Sequence, residues 1–211
     1  MKVAVLGWGS LLWEPTPQGI APATVGPWHK WGPSLPIEFA RVSSSRAGAL
    51  TLVVVPGPSP PRVAHQRTVW ALSPKTDLES AIYRLKTREG CPLEKIHALP
   101  DAGVHSKAVP PSIEELVKEW LRGHPEFDHV IWTGLESNWN IHDGPGAKYG
   151  PFSAEAGMEY LLTELRPESE GRKKAEEYIR RAPSWIDTNL RRKAITKGWI
   201  PLPLPKDCEI V

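Results

Sequence analysis

A glycine-rich turn follows the first apolar run of the chain. The run covers residues 3–6, and the turn then reads Gly7, Trp8, Gly9, Ser10 and Leu11. Because glycine adopts backbone conformations that other residues avoid, such a turn can direct consecutive N–H groups into one concavity. A carboxylate or a developing oxyanion could be held there. The same residues also fit a tight turn with Trp8 as core filler, since a Gly-x-Gly pair alone is weak evidence for a site.

A second candidate is Glu89, which lies just before Gly90 at the predicted end of a helix. The helix dipole favours cations at that end, so a carboxylate placed there gains proton affinity. Such a carboxylate suits a general base that works near neutral pH. The alternative is a solvated Glu89 beside Arg88, which is the commoner role of a glutamate.

Other reactive side chains give weaker signals. The seven histidines form no pair at ligand spacing, and no serine lies in a Gly-x-Ser-x-Gly elbow, so the sequence predicts neither a metal site nor a nucleophilic serine. Cys91 follows Glu89 closely, and a neighbouring carboxylate makes a thiol a poor nucleophile. Basic residues between 172 and 193 alternate with Glu176 and Glu177, which is typical of solvated helix faces; an RNA or phosphate contact is the minority interpretation.

The candidate residues are carried by strands and helices that the sequence also predicts. Strands are predicted at 3–6, 37–43, 49–55, 65–72 and 129–133, with a hairpin loop at 44–48 and an irregular loop at 15–36. Capping boxes at 76–79 and 112–115 start two helices that end near Gly90 and Gly123. Further helices are predicted at 153–165, 172–181 and 187–194. Strict alternation of strands and helices is absent, so we expect an α+β fold, a mixed or closed sheet with helices outside it.

Bulk properties narrow the class of protein. The length of 211 residues fits one domain over 1–211, with C-terminal helices and a Pro-rich tail at 166–211. A formal charge of +2 gives no field that would favour nucleic acid or an anionic membrane. No apolar stretch approaches the roughly 20 residues of a membrane span. Two distant cysteines and an N-terminus unlike a signal peptide favour a cytoplasmic protein.

Two of these features occur together in a known family. Residues 5–13, Val-Leu-Gly-Trp-Gly-Ser-Leu-Leu-Trp, resemble the Tyr-Gly-Ser-Leu or Tyr-Gly-Ser-Asn turn of gamma-glutamylcyclotransferases, and look closest to the ChaC-type glutathione-specific branch. In that family the catalytic Glu lies in a Glu-Gly-like segment after a helix, a context that residues 85–90, Leu-Lys-Thr-Arg-Glu-Gly, match. The resemblance covers roughly the first half of the chain. Beyond it there is only a general likeness to uncharacterised bacterial members of the family, at residues 131–133 and 178–183.

The resemblance implies a small mixed β-barrel with surrounding helices, and an amide lyase or acyltransferase that needs no metal or organic cofactor. The α-amine of a γ-glutamyl group would attack its own γ-carbonyl, forming 5-oxoproline and releasing an amine or amino acid. Glu89 would be the catalytic base. The turn would bind the small γ-glutamyl or amino-acid-like molecule, through Gly7, Trp8, Gly9, Ser10 and Leu11. Trp8 stands where the family usually has Tyr, so a non-catalytic module that binds a small ligand or a partner is the alternative.

Overall fold

The computed structural model describes residues 1–56, 63–100, 109–140 and 144–201. In chain order the strands are β1 (Val3–Gly7), β2 (Val25–His29), β3 (Ser34–Ser43), β4 (Ala49–Val54), β5 (His65–Arg67), β6 (Val69–Leu72), β7 (Ile96–Leu99) and β8 (His129–Thr133). The helices are α1 (Leu78–Glu89), α2 (Pro111–Arg122), α3 (Ala154–Thr163), α4 (Glu170–Arg181) and α5 (Asn189–Thr196). The chain is therefore an α+β protein, as the sequence predicts.

The strands form two open sheets. One has five strands in the order β2-β6-β1-β8-β7, and the other has three in the order β4-β3-β5. Neither sheet closes on itself within the described ranges, so the predicted barrel is not confirmed. The chain divides into two compact units, the first with Met1–Leu35 and Arg67–Leu135, the second with Pro36–Gln66 and the described residues from 136 onward. One domain over 1–211 stays a prediction, and the tail at 202–211 lies outside the described residues.

The first unit is built around β1. This strand pairs antiparallel with β6 and parallel with β8, and all five of its residues are buried. A strand buried on both faces needs a continuous apolar run rather than an alternating one, which is what residues 3–6 provide. Helix α1 packs against β7 and β8 through the predicted stripe, and α2 contacts β7. The buried α1 stripe consists of Leu78, Ala81, Ile82 and Leu85.

The second unit combines the three-stranded sheet with the last three helices. Strands β3 and β4 form the predicted antiparallel hairpin, α4 packs against β4, and α3 packs against α5. The fully buried Trp139 meets the rings of Phe152 and Tyr160 edge to face. Three basic residues of α4 pair with glutamates one turn away, as expected for a solvated face. These pairs are Arg172–Glu176, Lys174–Glu170 and Arg181–Glu177.

Two strand predictions are wrong in detail. The single strand predicted at 65–72 breaks at Thr68 into β5 and β6, which belong to different sheets. Thr68 donates from its backbone N–H and its hydroxyl to the Pro33 carbonyl at the break. The loop predicted at 15–36 contains β2, in which Gly26 and Pro27 obscure the strand pattern. Such residues are tolerated because β2 is an edge strand.

The predicted helix starts also need correction. Asp77, not Thr76, caps α1, and its carboxylate accepts the N–H of Ser80 at 2.8 Å. Helix α2 begins at Pro111, before the predicted capping box at 112–115, and it has no side-chain cap. Proline is suited to the first helical position. Among the described residues, no helix is both long and apolar enough to cross a lipid bilayer.

Candidate functional site

The turn that follows β1 coils back on itself. The Leu12 N–H donates to the Gly9 carbonyl at 3.0 Å, and the Glu14 N–H donates to the Ser10 carbonyl at 2.8 Å. The N–H groups of Gly9, Ser10 and Leu11 donate to no other described residue. Consecutive N–H groups that no described residue accepts are suited to an anionic group of a ligand. These are the donors that the sequence predicts for substrate binding.

Gly7 serves close packing rather than an unusual backbone angle. Neither Gly7 nor Gly9 has a positive φ, so the expectation that they supply special conformations is wrong. A Cβ on Gly7 would lie 2.8 Å from Cδ1 of Leu12 and 2.8 Å from the Trp28 ring. Real Cβ contacts are longer than this, so Gly7 is required by the side chains that pack onto the end of β1.

Most side chains of the turn belong to the core. Trp8 is 7% exposed and Leu11 is 5% exposed, while Ser10 is half-buried. Trp8 thus fills the core, as the alternative interpretation of the sequence has it. Any ligand of the turn has the backbone and the Ser10 hydroxyl as its main contacts.

Glu89 is the last residue of α1, and it is not a solvated surface residue. Gly90 follows it with φ 61°, a left-handed cap whose N–H donates to the carbonyls of Lys86 and Thr87. This is the predicted glycine stop. The Glu89 side chain is 16% exposed. The carboxylate therefore lies at the carbonyl end of the helix, as predicted, in a largely buried position.

Arg88 joins the turn to Glu89. Its Nη1 atom lies 2.8 Å from Oε1 of Glu89 and 3.5 Å from Oγ of Ser10. Its Nη2 atom lies 3.4 Å from the same Ser10 oxygen and 2.5 Å from the Glu14 carbonyl oxygen. One guanidinium thus contacts both parts of the predicted site, and Ser10 and Glu89 become neighbours across it.

Sequence reasoning did not identify Arg88 as a site residue. Its side chain is 4% exposed, although a lone arginine at a helix end is usually solvated. Its partners Ser10 and Glu14 precede it by 78 and 74 residues. No local pattern reports contacts of that separation, so only the tertiary fold reveals them.

The Arg88–Glu89 ion pair is largely buried. The Nε atom of Arg88 is buried and has no hydrogen-bond partner among the described residues. Burial, and after it the charge of Glu89, raises the pKa of Cys91 to about 11. The thiol is therefore protonated near neutral pH, in agreement with its predicted weakness as a nucleophile.

The described residues contain no group of three or more His, Cys, Asp or Glu side chains arranged to hold a metal ion. The corner of Ser10, Arg88 and Glu89 contains a carboxylate, a cation and a hydroxyl, and the turn beside it has N–H groups that bond to no described residue. These groups can accept a proton and donate hydrogen bonds. The chain matches no family model, no curated protein and no solved structure, so the roles of these residues rest on the geometry described above.

Proposed function

We propose that this protein is a gamma-glutamylcyclotransferase-like enzyme of the cytoplasm, which converts a γ-glutamyl group into 5-oxoproline. The observation that carries the proposal is the Arg88 bridge, since one nitrogen contacts both the Ser10 hydroxyl and the Glu89 carboxylate. The proposal requires a general base and the N–H groups of the turn to act on one small substrate, and the link that Arg88 makes between Ser10 and Glu89 supports it. Held together in this way, the reacting groups need no cofactor, because the reaction is intramolecular.

The proposed reaction needs only proton transfers besides the exchange of one C–N bond for another. Glu89 accepts a proton from the substrate α-ammonium, which frees the nitrogen lone pair. The amine attacks the γ-carbonyl carbon, and the N–H groups of Gly9, Ser10 and Leu11 stabilise the oxygen that becomes negative. The ring C–N bond forms and the original amide C–N bond breaks. The two protons that the α-ammonium loses end on the departing nitrogen, which leaves as an ammonium group.

A second candidate is a non-catalytic module that binds a small carboxylate-bearing ligand through the same N–H groups. Two observations favour it. Trp8, which replaces the usual Tyr, is in the core and 7% exposed. The charge of Glu89 is also already balanced by Arg88, as in an ion pair that serves only to hold two segments together.

Release of 5-oxoproline from a panel of γ-glutamyl compounds separates the two candidates. The panel contains glutathione, γ-glutamyl dipeptides and γ-glutamylamines, each incubated with purified protein and analysed by mass spectrometry. The enzyme proposal expects release from at least one compound. Absence of release from all of them, with saturable binding of one compound by calorimetry, would establish the binding module instead.

A further inference from the structure

We propose that an exposed aromatic and cationic surface of the first unit binds single-stranded nucleic acid. The surface lies at the end of β2 and the loop after it, at residues 67–70, and at the end of α2. It is called the Trp31 surface below, and it consists of His29, Lys30, Trp31, Arg67, Trp70 and Trp120. The proposal uses neither the turn after β1 nor Glu89, so it is independent of the proposed function.

The Trp31 ring is exposed although its backbone is unfavourable for a large side chain. Its φ of 69° lies in the left-handed region, which a bulky residue adopts only under constraint. The Trp31 carbonyl accepts the indole N–H of Trp120 at 2.7 Å. The next residue, Gly32, donates its N–H to the Thr68 carbonyl at 3.0 Å. Trp31 is nevertheless 62% exposed. Because glycine would adopt this φ without strain and without exposing an apolar ring, the indole points to a function of the ring itself.

A cation lies over this ring. The Arg67 guanidinium carbon is 4.1 Å from the centre of the Trp31 ring, which is a cation–π contact. A guanidinium covers one face of an indole, so the second face of this exposed ring is open to a ligand. Within the described residues no carboxylate forms an ion pair with Arg67 or with the exposed Lys30. A ring that accepts a base and cations that accept the phosphate are the two components of a site for single-stranded nucleic acid.

Further rings continue from Trp31. Trp70 and Trp120 are both half-buried, and their ring centres lie 4.9 and 5.9 Å from that of the buried Phe127. The half-buried His29 stacks on Trp70 at 4.1 Å. One ring would be enough for a mononucleotide, whereas a connected series of rings is suited to successive bases of one strand. The number of rings therefore favours a strand as the occupant.

The charge around these rings is positive. Residues 15–35 and 67–76 contain Lys30, Arg67 and Lys75 and no acidic residue. The net charge of +2 for the whole chain does not show this local excess. We expect the phosphates of a bound strand to lie on this side of the surface, because α2 has charges of both signs. The exposed or half-buried charged residues of α2 are Glu114, Glu115, Lys118, Glu119 and Arg122.

Fluorescence anisotropy of a labelled oligothymidine of about 16 nucleotides tests the proposal without any enzymatic activity. We expect saturable binding by the full chain at about 50 mM salt, with an affinity that falls as the salt concentration rises. The same strand paired with oligoadenosine should bind more weakly, because bases inside a duplex are closed to the rings. Thymidine monophosphate should compete only at a much higher concentration, because it occupies one ring of the series.

Two variants test the stacking. Trp31→Gly removes the ring and suits the left-handed backbone, so it should fold as wild type does, as checked by urea denaturation. It should weaken binding about 5- to 150-fold, the range for one base stacked on an aromatic ring. Tyr83→Ala is the matched control, since Tyr83 is 63% exposed in the same unit and has the Lys86 ammonium 5.3 Å from its ring centre. It should leave the affinity within about twofold.

Two further variants test the phosphate contact. Arg67→Met should reduce the slope of log affinity against log salt by about 0.7, the value for one phosphate of a single strand. Lys86→Met, the cation of the control pair, should leave the slope unchanged. The proposal is overturned by absence of saturable binding, by equal affinity for strand and duplex, or by competition from thymidine monophosphate at the concentration of the strand. An unchanged slope in Arg67→Met, or equal losses of affinity in Trp31→Gly and Tyr83→Ala, would likewise contradict it.

Discussion

Both terminal nitrogens of the Arg88 guanidinium lie beside the Ser10 hydroxyl, at 3.4 and 3.5 Å, although 78 residues separate the two positions. This contact fastens the turn after β1 to the end of α1. It brings the turn close to Glu89, whereas the sequence identifies these two features only as separate motifs.

Gly7→Ala should destabilise the first unit. The new Cβ would lie 2.8 Å from Leu12 and 2.8 Å from the Trp28 ring, so both side chains must shift. Overpacking of this kind costs about 1–3 kcal/mol in the free energy of unfolding, measured by urea denaturation. The matched control is Gly123→Ala, whose Cβ would meet only the Trp120 carbonyl oxygen at 3.4 Å, with ordinary φ of −80°. Equal stability of the two variants would contradict the packing explanation.

Glu38 gives the second unit a distinctive pH dependence. Burial raises the pKa of this carboxyl above 4.5, and hydrogen bonds from the Thr188 hydroxyl and the N–H groups of Phe39, Leu190 and Asn189 offset part of the rise. Because the pKa is raised on folding, the contribution of protonated Glu38 to the free energy of unfolding is fully present below pH 4.5. That stability is lost as the pH rises toward the folded-state pKa.

The stability of Glu38→Gln should therefore increase relative to that of wild type as the pH rises, because glutamine does not titrate. The difference in free energy of unfolding should move in favour of the variant by about 1.4 kcal/mol per unit of pKa elevation. Urea denaturation of both proteins across the acidic and neutral range measures it. Glu119→Gln, at an exposed position of α2, is the control. A difference that stays constant, or that moves toward wild type, would show that folding does not raise the pKa of Glu38.

Cys91 should resist alkylation in the folded protein. With its pKa raised to about 11, chiefly by burial, little thiolate exists at mildly alkaline pH. We expect iodoacetamide to label it about 100-fold more slowly, or slower still, than in the denatured chain, as followed by peptide mass spectrometry. Glu89→Gln should accelerate labelling only slightly, since burial is the larger cause. Similar rates in folded and denatured protein would refute the assignment.

Local sequence signals predicted several elements well. The apolar run at 3–6, the strand His129–Thr133 and the helix stop at Gly90 depend on neighbouring residues, and each is present in the structure. Elements that depend on distant partners were missed. Strand β2 contains Gly26 and Pro27, and it exists because it pairs with β6. The four-residue strand β7 is likewise defined by its pairing with β8.

The same limit applies to the candidate site. The turn and Glu89 are predicted as candidate site residues, each from a motif of a few adjacent residues. No local pattern predicts the burial of Arg88, because it depends on Ser10 and Glu14, far away in the sequence. The packing role of Gly7 likewise has no local signal, since the Trp28 ring that contacts it belongs to another strand.

The central claim is that Glu89 is the base of a 5-oxoproline-forming reaction. Its most direct test is kcat/KM for the best compound of the γ-glutamyl panel in wild type, Glu89→Gln and the surface control Glu119→Gln. Loss of a general base predicts a decrease of about 10²–10⁴-fold in Glu89→Gln. Glu119→Gln should stay within about twofold of wild type. Equal release of 5-oxoproline by wild type and Glu89→Gln would remove Glu89 from the mechanism and contradict the account.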